Sequence, residues 1–337
     1  MHRNIVAASG SIIEYLGNTP DDVILSALPL AFDYGLYQLL MCMRFGGTLV
    51  LERSFAFPAA VLQKVAAEKV TGFPIVPTML AMLLRLDLSK FDLSGLRYLS
   101  NTGAALPVEH IRRLRGLLPH LTVFSMYGLT ECKRASYLPP DQIDIRPSSI
   151  GKGMPNSELY LVDDDGRPIE GAGEGELVVR GSNVMPGYWR QPETTARTFR
   201  DGPVPGEKVL FTGDTFRRDE DGFYYFVGRR DEMIKSRGER VSPREIENVL
   251  CELPEVAEAA VIGVPDPILG QSIRAYLVLR GDAALADRAV LRHCAVRLED
   301  FAVPQRVFFR DALPLGNTGK IDKKALLAEA LAEEAAA

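Results

Sequence analysis

The sequence lacks the cysteine and histidine patterns that metal centres and disulfide frameworks need. Its four cysteines (Cys42, Cys132, Cys251 and Cys294) lie far apart with no CxxC pair, and its four histidines show no ligand spacing. That points to a reduced, cytoplasmic protein without a structural metal. A basic excess is missing too. With 39 Lys and Arg against 44 Asp and Glu, the net charge is −5, and no single-sign stripe offers a footprint for nucleic acid or an anionic membrane. Long apolar runs are absent: the most hydrophobic stretch, VILSALPLAFDYGLYQLLMCM, is broken by Pro29 and Asp33 and falls short of a membrane span. The opening MHRNIVAASG lacks the charged-then-apolar profile of a signal peptide. No internal repeat occurs, and the one biased segment, the tail ALLAEALAEEAAA, reads as a solvated terminal helix. What remains is an ordinary globular composition, 337 residues with 47% hydrophobic and 25% charged. That length suits about two domains that bind small molecules.

The texture of the chain changes twice. In residues 1–150 apolar runs (VILSALPL, GGTLVLER, GFPIVP, LTVFSMYG) read as strands, and PAAVLQKVAAEK and VEHIRRLRGLL between them read as helices. Strands spaced by helices imply crossover units on a parallel sheet. Residues 151–228 hold short strands punctuated by DG and GD turns (SELYLVDDDGRPI, GEGELVVRG, LFTGDTFRRDEDGFYYFVG), the pattern of an antiparallel barrel or sandwich. Residues 229–337 begin with the charged segment RRDEMIKSRGERVSPREIENVL and continue with strands AEAAVIGV and IRAYLVL and the helix DRAVLRHCAVRL. They read as a small separate α+β domain. The fold class expected is therefore α/β: a parallel sheet with helices, an antiparallel β-barrel subdomain, and a small C-terminal domain.

Several stretches carry groups suited to chemistry. YGLTEC (127–132) directly follows an apolar strand. At the carboxyl edge of a parallel sheet, Tyr127 would offer an aromatic face, Gly128 a close approach, Thr130 a hydroxyl for a phosphate oxygen and Glu131 a carboxylate for Mg²⁺; taken alone, the stretch reads more simply as a strand-to-loop junction with an N-capping Thr. In FTGDTF (211–216), Asp214 after Gly213 suits the acceptance of two ribose hydroxyls, or a plain hairpin turn. The arginines of GRRDEMIKSRGERVSPREIE (228–247) could cradle a ribose and a phosphate, or form a solvated face. Near the C-terminus, LPLGNTGKID holds Lys320 among Pro314, Gly316, Asn317 and Gly319.

Taken in order, LPLAFDYG (28–35), NTGAAL (101–106), YGLTEC, GELVVRGSNVMPGYWRQPETT (175–195), FTGD, GRRDEMIKSRGERVSPREIE and LPLGNTGKIDKKAL resemble the ordered motifs of the AMP-forming adenylate-forming superfamily. That superfamily contains acyl-CoA synthetases, peptide-synthetase adenylation domains and luciferases. The resemblance runs from His2 to about Leu326. It implies a ligase that activates a carboxylate, acyl or amino acid, as acyl-AMP with ATP and Mg²⁺, and then transfers it to CoA or the phosphopantetheine of a carrier protein. It implies a nucleotide site at Gly103, Ala104, Tyr127, Gly128, Asp214 and Arg229, with Thr130 and Glu131 serving phosphate and Mg²⁺ and Arg240 approaching the adenylate phosphate. Asp231 corresponds to the hinge about which the C-terminal domain rotates. Lys320 corresponds to the lysine which that domain carries into the site for the first half-reaction.

The same resemblance places Asp33, Tyr34, Tyr37, Thr102, Met126 and Ala135 around the acid. AFDYGLY is similar to the FDxS variant of peptide-synthetase adenylation domains, whose Asp pairs with a substrate α-ammonium; a helix N-cap is the other reading of Asp33. Ser125 departs from the family's frequent Asn two places before the tyrosine. The Gly/Ser/Thr-rich phosphate loop that family members carry before a segment like HRNI has no counterpart, since the chain starts at Met1. The alternatives that follow are a truncated form, a misassigned start, a split enzyme with a separate N-terminal polypeptide, or a remnant that binds AMP or acyl-adenylate without adenylating.

Overall fold

The computed structural model describes residues 1–229, 232–316 and 320–335. They form two compact units, one of residues 1–106 and 111–226, the other of residues 107–110 and 227–337.

The chain first alternates helix and strand: α1 (His2–Leu16), β1 (Val23–Ser26), α2 (Asp33–Phe45), β2 (Thr48–Leu51), α3 (Pro58–Ala67), β3 (Gly72–Ile75), α4 (Pro77–Leu83), β4 (Tyr98–Asn101), α5 (Val108–Leu117) and β5 (Thr122–Tyr127). It then turns to short strands: β6 (Ser136–Tyr137), β7 (Ser149–Gly153), β8 (Ser157–Val162), β9 (Pro168–Ile169), β10 (Gly173–Gly181), the helix α6 (Pro192–Thr198), β11 (Phe199–Asp201), β12 (Lys208–Arg218) and β13 (Tyr224–Arg229). Strands β2-β1-β3-β4-β5 are parallel in that order. The hydrogen-bonded path continues antiparallel through β6, β7, β13, β12, β10, β8 and β9. The α/β expectation holds, and the change of texture near residue 150 falls close to the change of strand direction. That change comes at β5–β6.

The differences from the sequence reading are local. The run VILSALPL yields only the four residues of β1, which pair one to one with the four of β2. Helix α1 was not expected, although Ala8, Ile12 and Leu16 recur four residues apart and are the apolar residues it buries. In LPLAFDYG, Gly35 has a steric reason: a Cβ there would stand 2.3 Å from the Pro29 carbonyl oxygen, so only glycine lets the first turn of α2 close on the preceding loop.

The second unit has β14 (Ile234–Ser236), β15 (Glu239–Val241), α7 (Pro243–Cys251), β16 (Val256–Asp266), β17 (Gly270–Leu279), α8 (Asp287–Arg297), β18 (Arg306–Phe309) and α9 (Lys323–Ala335). Its sheet runs β15-β14-β17-β16, with β18 parallel to β17. The start of α7 is written in SPRE: the Ser242 hydroxyl accepts from the Glu245 N–H at 3.3 Å and Pro243 takes the first helical position, a side-chain cap followed by the ring that needs no N–H partner. Helix α7 buries Ile246 and Leu250 and also Glu247, whose carboxylate accepts from the Val261 N–H at 3.0 Å and pairs with Lys323 at 2.5 Å. Among the described residues no helix is long and apolar enough to cross a membrane.

At the amino edge of the parallel strands, Asp22 ties four connections together. It is 4% exposed and accepts from Arg97 (2.7 and 2.9 Å), the Thr71 hydroxyl (2.7 Å), the Thr19 N–H (3.0 Å) and the Asn18 amide (3.1 Å). Burial alone would raise its pKa; the hydrogen bonds from Arg97, Thr71, Thr19 and Asn18 outweigh it and hold the carboxyl below the usual range. A lowered folded-state pKa contributes stability above the unfolded value, and that stability is lost as the pH falls through the folded one. Asp22→Asn should therefore cost about 2–3 kcal/mol at neutral pH in urea unfolding. The gap from the parent should close as the pH drops below about 4. A pH-independent gap would assign the loss to shape rather than charge.

Candidate active site

The parallel part of the sheet ends at β5, and the chain immediately returns as β6, pairing Met126 with Tyr137 and Tyr127 with Ser136. The connecting residues fold back so closely that a Cβ on Gly128 would meet the Lys133 carbonyl oxygen at 2.4 Å and the Arg134 Cα at 2.8 Å. Glycine at 128 is thus required by backbone packing. The segment GSNVMPGYW braces this return. The buried Asn183 amide donates to the carbonyls of Cys132 (3.2 Å) and Arg134 (2.7 Å), and the Met185 N–H donates to the Glu131 carbonyl at 2.9 Å. The Tyr188 hydroxyl then donates to Glu131 Oε1 at 2.5 Å. Burial and the Glu131 carboxylate push the Tyr188 phenol up to about 12, so it stays a donor at working pH. Thr130 is exposed and Glu131 half-buried beside it.

Tyr127 and Asp214, 87 positions apart, meet here: the phenol donates to Asp214 Oδ2 at 2.6 Å. Burial, and next the Asp214 charge, raise the Tyr127 pKa well above its ordinary value. Asp214 is buried on β12, and its N–H donates to the Thr212 hydroxyl at 3.2 Å. At the end of β4, buried Asn101 donates to the Ala104 carbonyl at 2.9 Å, which shapes the NTGAAL turn. Gly103 is half-buried, Ala104 exposed and Thr102 buried.

Asp33 opens α2 as its first residue; Phe32 is the cap, with no side-chain cap bond, so the N-cap reading of Asp33 does not hold. Its carboxylate lies 3.3 Å from the Lys133 ammonium. Lys133 is buried, with its backbone at φ 64, a region that a non-glycine residue seldom adopts. The ammonium stands 4.5 Å from the ring centre of Tyr37 and 5.2 Å from that of Tyr34. Burial first, and then the neighbouring Arg134 charge, lower its pKa to about 7 against the pull of Asp33. Tyr34 is anchored by its hydroxyl to the Ser100 carbonyl and hydroxyl, both at 2.9 Å. Met126 and Ala135 are buried.

Arg229, Arg240 and Lys320 belong to the second unit, which the structure describes by itself. Arg229 ends β13 and Arg240 lies on β15 opposite Lys235; both are exposed. Lys320 is half-buried where Leu315 and Ile321 bridge, and its carbonyl accepts the Gly316 N–H at 2.8 Å. The expected hinge, Asp231, lies outside the described residues, as do Asn317 and Gly319. Among the described residues no group of three or more His, Cys, Asp or Glu could hold a metal. Glu131 as a single carboxylate suits Mg²⁺, which takes one or two protein carboxylates and completes its shell with phosphate oxygens and water. The residues that sequence reasoning missed are Asn183, Tyr188, Lys133 and Arg134. Asn183 and Tyr188 stood in a quoted motif without a role, and the signal for the other two was a Lys-Arg pair set between two apolar strands.

A family model described as "AMP-binding enzyme" matches residues 1–189, and one described as "AMP-binding enzyme C-terminal domain" matches residues 245–320. The chain is 35% identical over 328 residues to a sulfoacetate–CoA ligase of Cupriavidus necator, covering 96% of this chain and 62% of that protein. It is 34% identical over 339 residues to a long-chain-fatty-acid–CoA ligase of Salmonella typhimurium, covering 98% and 58%. Among solved structures, ATP-bound MatB from Rhodopseudomonas palustris superposes with a TM-score of 0.88 at 30% identity, covering 97% of this chain and 64% of that one. An o-succinylbenzoate CoA synthetase from Bacillus subtilis with its acyl-adenylate intermediate gives 0.82 at 31%, covering 96% and 64%. The chain thus spans about three-fifths of the length of these relatives. The first family model alone takes in more than half of the chain, and the chain belongs to the AMP-binding enzyme family.

Proposed function

We propose that the protein containing this chain is an ATP-dependent acid–thiol ligase. A carboxylate oxygen attacks the α-phosphorus of ATP and pyrophosphate leaves; a thiol of CoA, or of a carrier protein's phosphopantetheine, then attacks the acyl carbonyl and AMP leaves. The observation that carries this reading is the 2.6 Å bond between Tyr127 and Asp214, which brings two distant motifs to the carboxyl edge of the sheet, where open α/β folds bind nucleotides. Asp214 has a carboxylate to accept the ribose hydroxyls, and the Tyr127 ring and the Gly103–Ala104 backbone flank the base. Thr130 presents a hydroxyl to phosphate. Mg²⁺ held by Glu131 would neutralise charge on the phosphates, and the bond from Tyr188 fixes the carboxylate that holds it. Lys320 and Arg240 supply positive charge to the anionic transition state, where a charge about 4 Å away is worth up to about 4 kcal/mol in a partly screened site. The relatives whose names specify CoA support CoA as the acceptor.

Calorimetry with AMP tests the nucleotide site directly. Asp214→Ala should weaken AMP binding about 10- to 100-fold, the worth of a hydrogen bond to a charged group; unchanged affinity would remove Asp214 from the site.

Tyr188→Phe should raise the Mg²⁺ concentration needed for half-maximal ATP–pyrophosphate exchange about 10-fold or more. A lower rate at an unaltered Mg²⁺ requirement would show that the phenol does not act through Glu131.

In the active enzyme, Lys320→Ala should lower adenylation by about 10²–10³ while leaving thioester formation from supplied acyl-AMP nearly intact. Equal damage to both half-reactions would make the lysine structural.

A further inference from the structure

Lys133 and Arg134 are consecutive cations inside the first unit, 5% and 1% exposed, at the same sheet edge as the candidate nucleotide site. Each stands 5.2 Å from the centre of the Tyr34 ring. One carboxylate, Asp33, is hydrogen-bonded to either of them among the described residues. Lys133 has three N–H donors and directs one bond, at 3.3 Å, to that carboxylate. Arg134 keeps Nε and Nη1 buried with no hydrogen-bond partner. With Lys133 protonated, two cations in a low-dielectric interior share one counter-charge, an arrangement that is costly to bury without a further anion. A plain alkyl chain offers no acceptor to the N–H donors left over. Asp33 is 28% exposed, so the cluster is open on the carboxylate's side. Tyr37 and Tyr34 supply flat walls that favour a cation between them over an aliphatic tail.

We propose that Lys133, backed by Arg134, selects acids that carry a second carboxylate remote from the reacting one. This deepens the reading of the site as that of an acid-activating ligase and rests on it. A second carboxylate would accept from Lys133 Nζ and neutralise the surplus charge. An acid bearing an ammonium would instead meet two cations, which turns the expectation drawn from Asp33 around: the ammonium that Asp33 engages belongs to the protein. Lys133 is then a specificity-determining residue contacting substrate, and Asp33 a positioning residue that holds the ammonium and competes with the incoming anion.

The test is calorimetric binding, to the 337-residue chain, of non-hydrolysable acyl-adenosine sulfamates. Dicarboxylic acyl groups of three to six carbons are compared with monocarboxylic and ω-amino mates of the same length, with AMP as reference. At least one dicarboxylic member should bind about 10- to 100-fold tighter than its neutral mate, and the ω-amino mates should be the weakest. Lys133→Met should abolish the preference, and Asp33→Asn should enlarge it. The comparison on the parent chain needs no variant, so a poorly folded Lys133→Met leaves the test intact. AMP binding without any dicarboxylate preference overturns the inference alone, as does a preference that survives in Lys133→Met. If AMP itself does not bind, the proposed activity falls and the inference with it.

Discussion

The change of strand direction at β5–β6 is the constraint on which the candidate site depends. A parallel strand normally leaves its sheet by a crossover of a dozen residues or more; here β5 is answered at once by an antiparallel partner. The return must therefore be made in the few residues from 128 to 135, at the sheet edge where ligands bind. Gly128 permits it by letting the Lys133 carbonyl approach where a Cβ would stand, and Lys133 completes it in a left-handed backbone conformation. Everything displayed on that return, from the Thr130 hydroxyl to the Lys133 ammonium, takes its place from this packing.

The return is not self-supporting. Its carbonyls at 131, 132 and 134 accept hydrogen bonds from Met185 and Asn183, about fifty residues later in the chain. The antiparallel strands thus complete the site in two ways, bracing the loop through the 183–188 segment and delivering Asp214 to Tyr127. A buried carbonyl without such a partner would be costly, so the segment is as much part of the site as the residues it supports.

The sequence made the architecture legible where one signal dominated. Apolar runs divided by helical segments gave the parallel strands, and DG and GD turns the antiparallel ones. Helix α1 escaped because its apolar residues are diluted by Gly10, Ser9 and Ser11, and what buries it is tertiary. The residues proposed for the nucleotide site stand in ordered motifs that the sequence shows directly. Asp33 drew attention as a carboxylate but its partner was not legible, since no local rule connects positions 33 and 133; they meet only when α2 and the β5–β6 return are packed on one sheet. Tyr188 and Asn183 were hidden for the same reason. Their work is done across the fold, by a hydroxyl and an amide whose neighbours in sequence say nothing of Glu131 or Cys132.

Asp22 sits at the other end of the same strands, and it shares no hydrogen-bond partner with Asp33, Lys133 or Tyr34. Groups without common partners contribute nearly additively. Substitutions around Asp33 and Lys133 therefore leave the stability held at the opposite edge untouched. The sheet thus carries two separate charge clusters, a carboxylate gripped at its amino edge and a pair of buried cations at its carboxyl edge, and a change of charge in one leaves the hydrogen bonds of the other in place.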